Sequence, residues 1–112
     1  MKFEPEFDTV ITGRINYVLD SLNRSLAQFI SNNKKVKVGA TGREPLKRLG
    51  EHLLNTNWKR CIVKFETTSK DVAATIEDEL IQKFKRKLAN KTGGGGGLTY
   101  NSNIYYVYFL IR

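Results

Sequence analysis

Cysteine, histidine, methionine and tryptophan each occur once in the 112 residues, and proline twice. A single cysteine excludes an internal disulfide and any zinc cluster built on several thiolates of one chain. Cys61 lies in the apolar run Cys61-Ile62-Val63, where a buried, inert thiol is a simpler reading than a nucleophile. His52, the one histidine, cannot build a multi-histidine metal site. No stretch approaches the ~20 apolar residues that span a bilayer, and the first residues lack the apolar core of a signal peptide. We therefore expect an intracellular protein of cytoplasm or nucleus, not secreted and without a membrane partner. A serine-centred elbow, a Walker-type loop and a dinucleotide fingerprint are all missing. The five glycines Gly93 to Gly97 neither follow a strand nor precede a lysine-led helix, which disfavours nucleotide cofactors.

Acids are also scarce. Eleven Asp and Glu face 19 Lys and Arg, for a formal charge of +8 and a pI near 9.7. Such a balance favours polyanions through counterion release and long-range steering, so nucleic acid heads the list of partners. A basic surface that serves only solubility is the plainer alternative. At 40% hydrophobic residues the chain can build a core, and its length suits one domain over residues 1–112.

Apolar residues at Val10, Ile11, Ile15, Val18, Leu19, Leu22, Leu26, Phe29 and Ile30 have the spacing of one helix face, predicting a helix over 8–31. Ser31-Asn32-Asn33 ends it, because these side chains bond locally to backbone. Such a helix either covers a sheet or mediates a homodimer. Lys35 to Gly39 alternates polar and apolar as a short strand, stopped by Gly39 and Gly42. Pro45 opens a second helix with Leu46, Leu49, Leu53 and Leu54 on its buried side. Trp58 to Phe65 reads as a central strand in which Val63 and Phe65 alternate with Lys64, and Thr67-Thr68-Ser69 offers hydroxyl caps to a third helix reaching about Ala89. Gly93 to Gly97 is either a surface loop or a backbone lying close to phosphates. Ile104 to Ile111, rich in aromatic and β-branched residues, is a strand buried on at least one face. The expectation is an α+β domain: a small mixed or antiparallel three-stranded sheet flanked by helices, with an extra N-terminal helix.

The third helix carries the strongest chemical signal. Ala73, Ile76, Leu80, Ile81, Phe84 and Leu88 form its apolar face, and Glu77 falls near the middle of that face. A carboxylate among core positions must be paired, protonated or bound to a cation. A buried ion pair with a lysine or arginine is the structural alternative. Arg48 and His52, four apart, share one face of the second helix; by pattern alone they are a solvated flank.

Read as one unit, Lys37-Val-Gly-Ala-Thr-Gly-Arg-Glu-Pro-Leu-Lys-Arg-Leu-Gly-Glu-His52 resembles the second strand and first helix of GIY-YIG endonucleases. Gly39 and Thr41 fit the strand end, Arg48 the catalytic arginine, and His52 the histidine that often follows one turn later. Glu77-x-x-Leu80-Ile81 resembles the metal-binding glutamate of that family, and Asn90 the asparagine that closes the motif. The resemblance covers residues 35 to 90, and Lys37 replaces the tyrosine that helps name the family. The expected first strand is absent before residue 35, but Asn103-Ile-Tyr-Tyr-Val-Tyr108 resembles it, with Tyr105 at the position of its tyrosine. The last strand is thus expected to fill the vacant sheet position, with Tyr106 and Tyr108 on the opposite face from Tyr105.

The resemblance implies a DNA endonuclease acting on duplex or branched DNA. Glu77 would hold one Mg²⁺ or Mn²⁺, Arg48 would brace charge on the phosphoryl oxygens, and Tyr105, assisted by His52, would orient or deprotonate water. Lys35, Lys37, Thr41, Arg43, Lys47, Lys83, Arg86 and Lys87 are the expected nucleic-acid contacts, with Lys34, Lys59, Arg60, Lys85 and Lys91 as further cations. Two other readings remain: an inactive relative that binds nucleic acid or a protein, and a small RNA-binding module in which Tyr100, Tyr105, Tyr106 and Tyr108 stack bases.

Overall fold

In the computed structural model, four strands and two helices are defined within the described residues, which are 5–11, 13–33, 35–42, 58–89 and 103–112. They follow the order β1 (Pro5–Ile11), α1 (Ile15–Asn32), β2 (Val36–Gly42), β3 (Arg60–Thr67), α2 (Lys70–Lys83) and β4 (Tyr105–Ile111). The predicted helix around Leu46 to Leu54 and the glycine run lie outside the described residues.

The apolar run of β4 becomes the middle of the sheet. The strand order is β1-β3-β4-β2, and β4 pairs antiparallel with β2 on one side and β3 on the other. These three strands form the expected antiparallel sheet, and β1 adds a fourth that runs parallel to β3, making the whole sheet mixed. Both faces of β4 are covered, with only Tyr108 half-buried among otherwise buried residues. A continuous run without polar alternation is what a strand buried on both faces requires.

Residues 8–11, expected at the start of the first helix, belong instead to β1. Gly13 separates the two elements at φ 126°, a conformation that side-chain-bearing residues rarely adopt. The helix begins beyond it, and Val18 donates to the Arg14 carbonyl at 2.9 Å. Its buried stripe, Val18, Leu22 and Leu26, packs with Val36, Val38, Val107 and Phe109, so α1 covers the sheet. Phe29 meets Phe109 edge to face, with centroids 5.8 Å apart. Asn33 closes the helix by donating from Nδ2 to the Phe29 carbonyl at 2.9 Å, the local bonding expected of that segment.

Two further boundaries differ from expectation. The β2 strand runs past Gly39 to Gly42, because Gly39 to Gly42 pair with Tyr108 to Tyr105. The third predicted helix, here α2, ends at Lys83 rather than Ala89. Its backbone tightens into a turn at Phe84, whose carbonyl accepts from both Lys87 and Leu88, and the Ala89 N–H is diverted to the Val36 carbonyl at 2.9 Å. At the other end Ser69 caps the helix as anticipated, its hydroxyl accepting from the Val72 N–H at 3.2 Å.

Strand β3 departs from simple alternation. Residues two apart share a face in a regular strand, yet Val63 packs with Tyr106 on one face and Phe65 with Val107 on the other. A register shift between Val63 and Phe65 causes the switch, making Lys64 the extra residue of a bulge.

Gly39 is the tightest point of the sheet. A Cβ built there would come within 2.8 Å of Cε2 of Tyr108 and nearer still to its hydroxyl end, so the phenol lies directly across this glycine. Gly39→Ala should therefore cost about 1–3 kcal/mol through overpacking. Adding Tyr108→Leu should make the pair less costly than the sum of the single changes. Urea unfolding of the three variants measures both, and strict additivity would refute the contact as the cause. Ser69→Ala should cost ~1 kcal/mol and Ser69→Gly only a few tenths in the same assay.

Candidate functional site

The outer side of β2, an edge strand among the described residues, is where the chemistry-bearing residues gather. Alternate backbone groups of an edge strand point away from the sheet and need partners. The Val36 carbonyl points outward to the Ala89 N–H, so by alternation the Ala40 N–H also points outward. That donor is taken by the carboxylate of Glu77 from α2. The helix reaches the edge because Ala73, Ile76, Leu80 and Ile81 pack in the same core as Val36 and Val38.

Glu77 is half-buried, and its carboxyl pKa lies above the ordinary 4.5. Loss of hydration is the largest cause; the Ala40 N–H opposes it, the Asp78 carboxylate adds to it, and the Lys37 ammonium opposes it. The inward position expected for Glu77 is therefore real, and so is part of the structural alternative, since a lysine lies within electrostatic reach. Lys37 itself is exposed on β2.

Tyr108 approaches the same edge from the other face of the sheet. It pairs with Gly39, its ring crosses that glycine, and burial pushes its phenol well above the ordinary value of 10.0. Cys61 and Glu77 push in the same direction. Such a phenol holds its proton at neutral pH and acts as a hydrogen-bond donor; it becomes a base only when added positive charge lowers its pKa.

Tyr105, the tyrosine expected at this site, is placed differently. It is only 4% exposed, packs in the helix-side core and pairs with Gly42 at the far end of β2. Tyr106 lies in the second cluster with Val63, and Tyr108 packs against that cluster, as the parity argument anticipated. The Glu77 carboxylate is among the groups that push the Tyr108 phenol upward. The signal available in the sequence was the glycine within a strand, which marks a place where a large neighbour lies close to the backbone.

Gly39 and Thr41 lie on β2 as expected, Lys35 is exposed just before that strand, and Lys83, Arg86 and Lys87 are exposed at the end of α2. Arg43, Lys47, Arg48, His52 and Asn90 lie outside the described residues. Among the described residues no group of three or more His, Cys, Asp or Glu side chains converges, and no helix is long and apolar enough to cross a membrane. A single desolvated carboxylate nevertheless fits a hard divalent cation of the Mg²⁺ type. Such an ion keeps several waters and takes further oxygens from substrate phosphates.

Glu77→Gln retains an oxygen for the Ala40 N–H while removing the charge, which isolates the cost of the buried anion. With its folded-state pKa raised above 4.5, wild-type Glu77 contributes stability that is full below that value and is lost as pH rises through the raised pKa. Wild type should therefore fall behind Glu77→Gln across this window and keep a constant deficit above it. Urea midpoints at a series of pH values test this, and a deficit that grew on acidification would contradict it.

Comparison of the chain with protein-family models, with curated proteins and with solved structures finds no match.

Proposed function

We propose that this chain is a metal-dependent DNA endonuclease of the GIY-YIG type in which the C-terminal strand β4 serves as the motif strand beside β2. A strand does precede residue 35, contrary to expectation, but β1 lies at the opposite edge of the sheet, paired with β3. The observation that carries the reading is the register of β2 with β4. It sets Tyr105 to Tyr108 opposite Gly42 to Gly39, beside the helix that holds the half-buried Glu77. The pairing of β4 with β2, and Glu77 beside Ala40 of β2, support this reading.

On this reading Glu77 would hold Mg²⁺ or Mn²⁺, which would supply polarisation of the scissile phosphate and neutralisation of charge on the leaving oxygen. Arg48 serves as the bidentate partner of the phosphoryl oxygens. Water adds to phosphorus, the bond from phosphorus to the leaving oxygen breaks, and one water proton passes to the leaving oxygen through solvent or a side chain. Tyr105, expected from the motif, and Tyr108, which lies over Gly39, are the two candidates for the phenol that orients that water. His52 is the candidate for proton relay.

The second reading, an inactive relative that binds nucleic acid, draws on Lys37 at the usual tyrosine position and on the cap that Glu77 places on the Ala40 N–H. Glu77→Gln separates the two, since it keeps the cap and removes the metal-binding charge. In assays of supercoiled and branched DNA, wild type should nick only with Mg²⁺ or Mn²⁺. Glu77→Gln and Arg48→Ala should each lose on the order of 100-fold or more in rate. DNA binding without cleavage by all three proteins would replace the nuclease by the inactive relative.

A further inference from the structure

We propose that the turn following α2, which presents Lys83, Lys85, Arg86 and Lys87, is the surface that seats the phosphate backbone of duplex DNA. All four side chains are exposed, and with Gln82 and Phe84 they line an open cleft of about 420 Å³. The assignment rests on the nucleic-acid part of the reading above and is independent of cleavage.

The cations sit on a fixed platform rather than a tail. Phe84 donates to the Leu80 carbonyl at 3.1 Å, Lys87 donates to the Phe84 carbonyl at 2.8 Å, and the Ala89 N–H pins the segment to Val36. Phe84 and Leu88 are half-buried against the core. Little ordering entropy is then lost when the charges meet a ligand. The pin to Val36 also brings the turn to the start of β2, where exposed Lys35 and Lys37 flank that residue and extend the basic surface along the sheet edge.

The geometry favours a nucleic-acid backbone over a membrane. Interfacial segments add apolar side chains that enter the lipid beside their cations. Here Phe84 is half-buried against the core, and the exposed large hydrophobic among the described residues, Tyr17 at 63% exposure, lies on α1. Lys83 follows Glu77 by six residues, or ~9 Å along the helix axis at ~1.5 Å per residue. A single bound backbone is long enough to cover that separation. The same backbone held by the turn thus reaches the edge where Glu77 lies.

The test is binding of a short mixed-sequence duplex, followed by fluorescence anisotropy between ~50 and ~200 mM salt. It compares wild type, a Lys85→Ala/Arg86→Ala/Lys87→Ala variant, and an Arg14→Ala/Arg24→Ala control at exposed positions just before and on α1. Each phosphate contact contributes roughly 0.9 to the slope of log K against log salt. The triple variant should lose about 2 to 3 from that slope, while the control keeps the wild-type slope. Unchanged thermal midpoints establish that all proteins are folded; should the triple variant unfold, Lys85→Ala alone, with an expected loss of ~1, takes its place. An equal loss per charge removed in triple variant and control would overturn the proposal in favour of diffuse charge. Binding of the wild type to phosphatidylserine vesicles but not to duplex would overturn it in favour of a membrane surface, and with it the nucleic-acid reading. Duplex binding with the expected slope loss but no cleavage would support the surface and remove only the nuclease.

Discussion

Strand β4 gives its hydrogen bonds to two neighbours at once, and this pairing constrains everything around it. A strand buried on both faces cannot carry polar side chains on either, so Tyr105 to Ile111 is almost wholly apolar or aromatic. Its partners must then provide room for the aromatics that such a strand brings. Gly39 is that provision, since any side chain there would meet the Tyr108 ring. Helices on one face cover Val107 and Phe109, while Val63 crosses to the other face to pack with Tyr106. The bulge at Lys64 follows from the same demand, because without it Val63 and Phe65 would both face one side.

The price of placing β4 in the middle is that β2 becomes an edge, with outward backbone groups that invite pairing to another chain. The fold blunts this edge from α2 and the turn after it. Ala89 takes the Val36 carbonyl and Glu77 takes the Ala40 N–H. A glutamine would make the second of these bonds without the penalty of a desolvated charge, so edge protection alone does not account for a carboxylate at this position. The charge is what remains to be explained, and a cation brought by a phosphate substrate is an explanation with the right sign and the right ligand chemistry.

What could be read in advance was what depends on local periodicity. The apolar face of α2 with Glu77 inside it, the Ser69 cap, the Asn33 stop and the β4 run all follow from spacing and side-chain type. The adjacency of β4 to β2 came from motif resemblance, which carries long-range information that periodicity lacks. Missed features depended on distant partners. Residues 8–11 have apolar members that fit a helix stripe, and only pairing to β3 makes them a strand. Residues 84–89 continue the helical spacing, yet Val36 draws Ala89 out of the helix. Tyr105 and Tyr108 have equal claims in the sequence, and it is the glycine across the sheet that distinguishes them.

Charge order along α2 separates what the helix needs from what it does not. Asp71 in the first turn and Lys83 in the last both oppose the helix dipole, so each has a structural account. That account ends with Lys83, because the dipole's influence fades within the terminal turn. Lys85, Arg86 and Lys87 lie beyond it, with no acid among the residues from Lys83 to Ala89. Like charges so close in sequence lie within the ~8 Å over which physiological salt screens them, so they repel and cost the folded chain some stability. The turn nevertheless holds them through backbone bonds to Phe84 and Val36. A polyanion would relieve this repulsion, which is the physical basis of the surface we propose for these three residues.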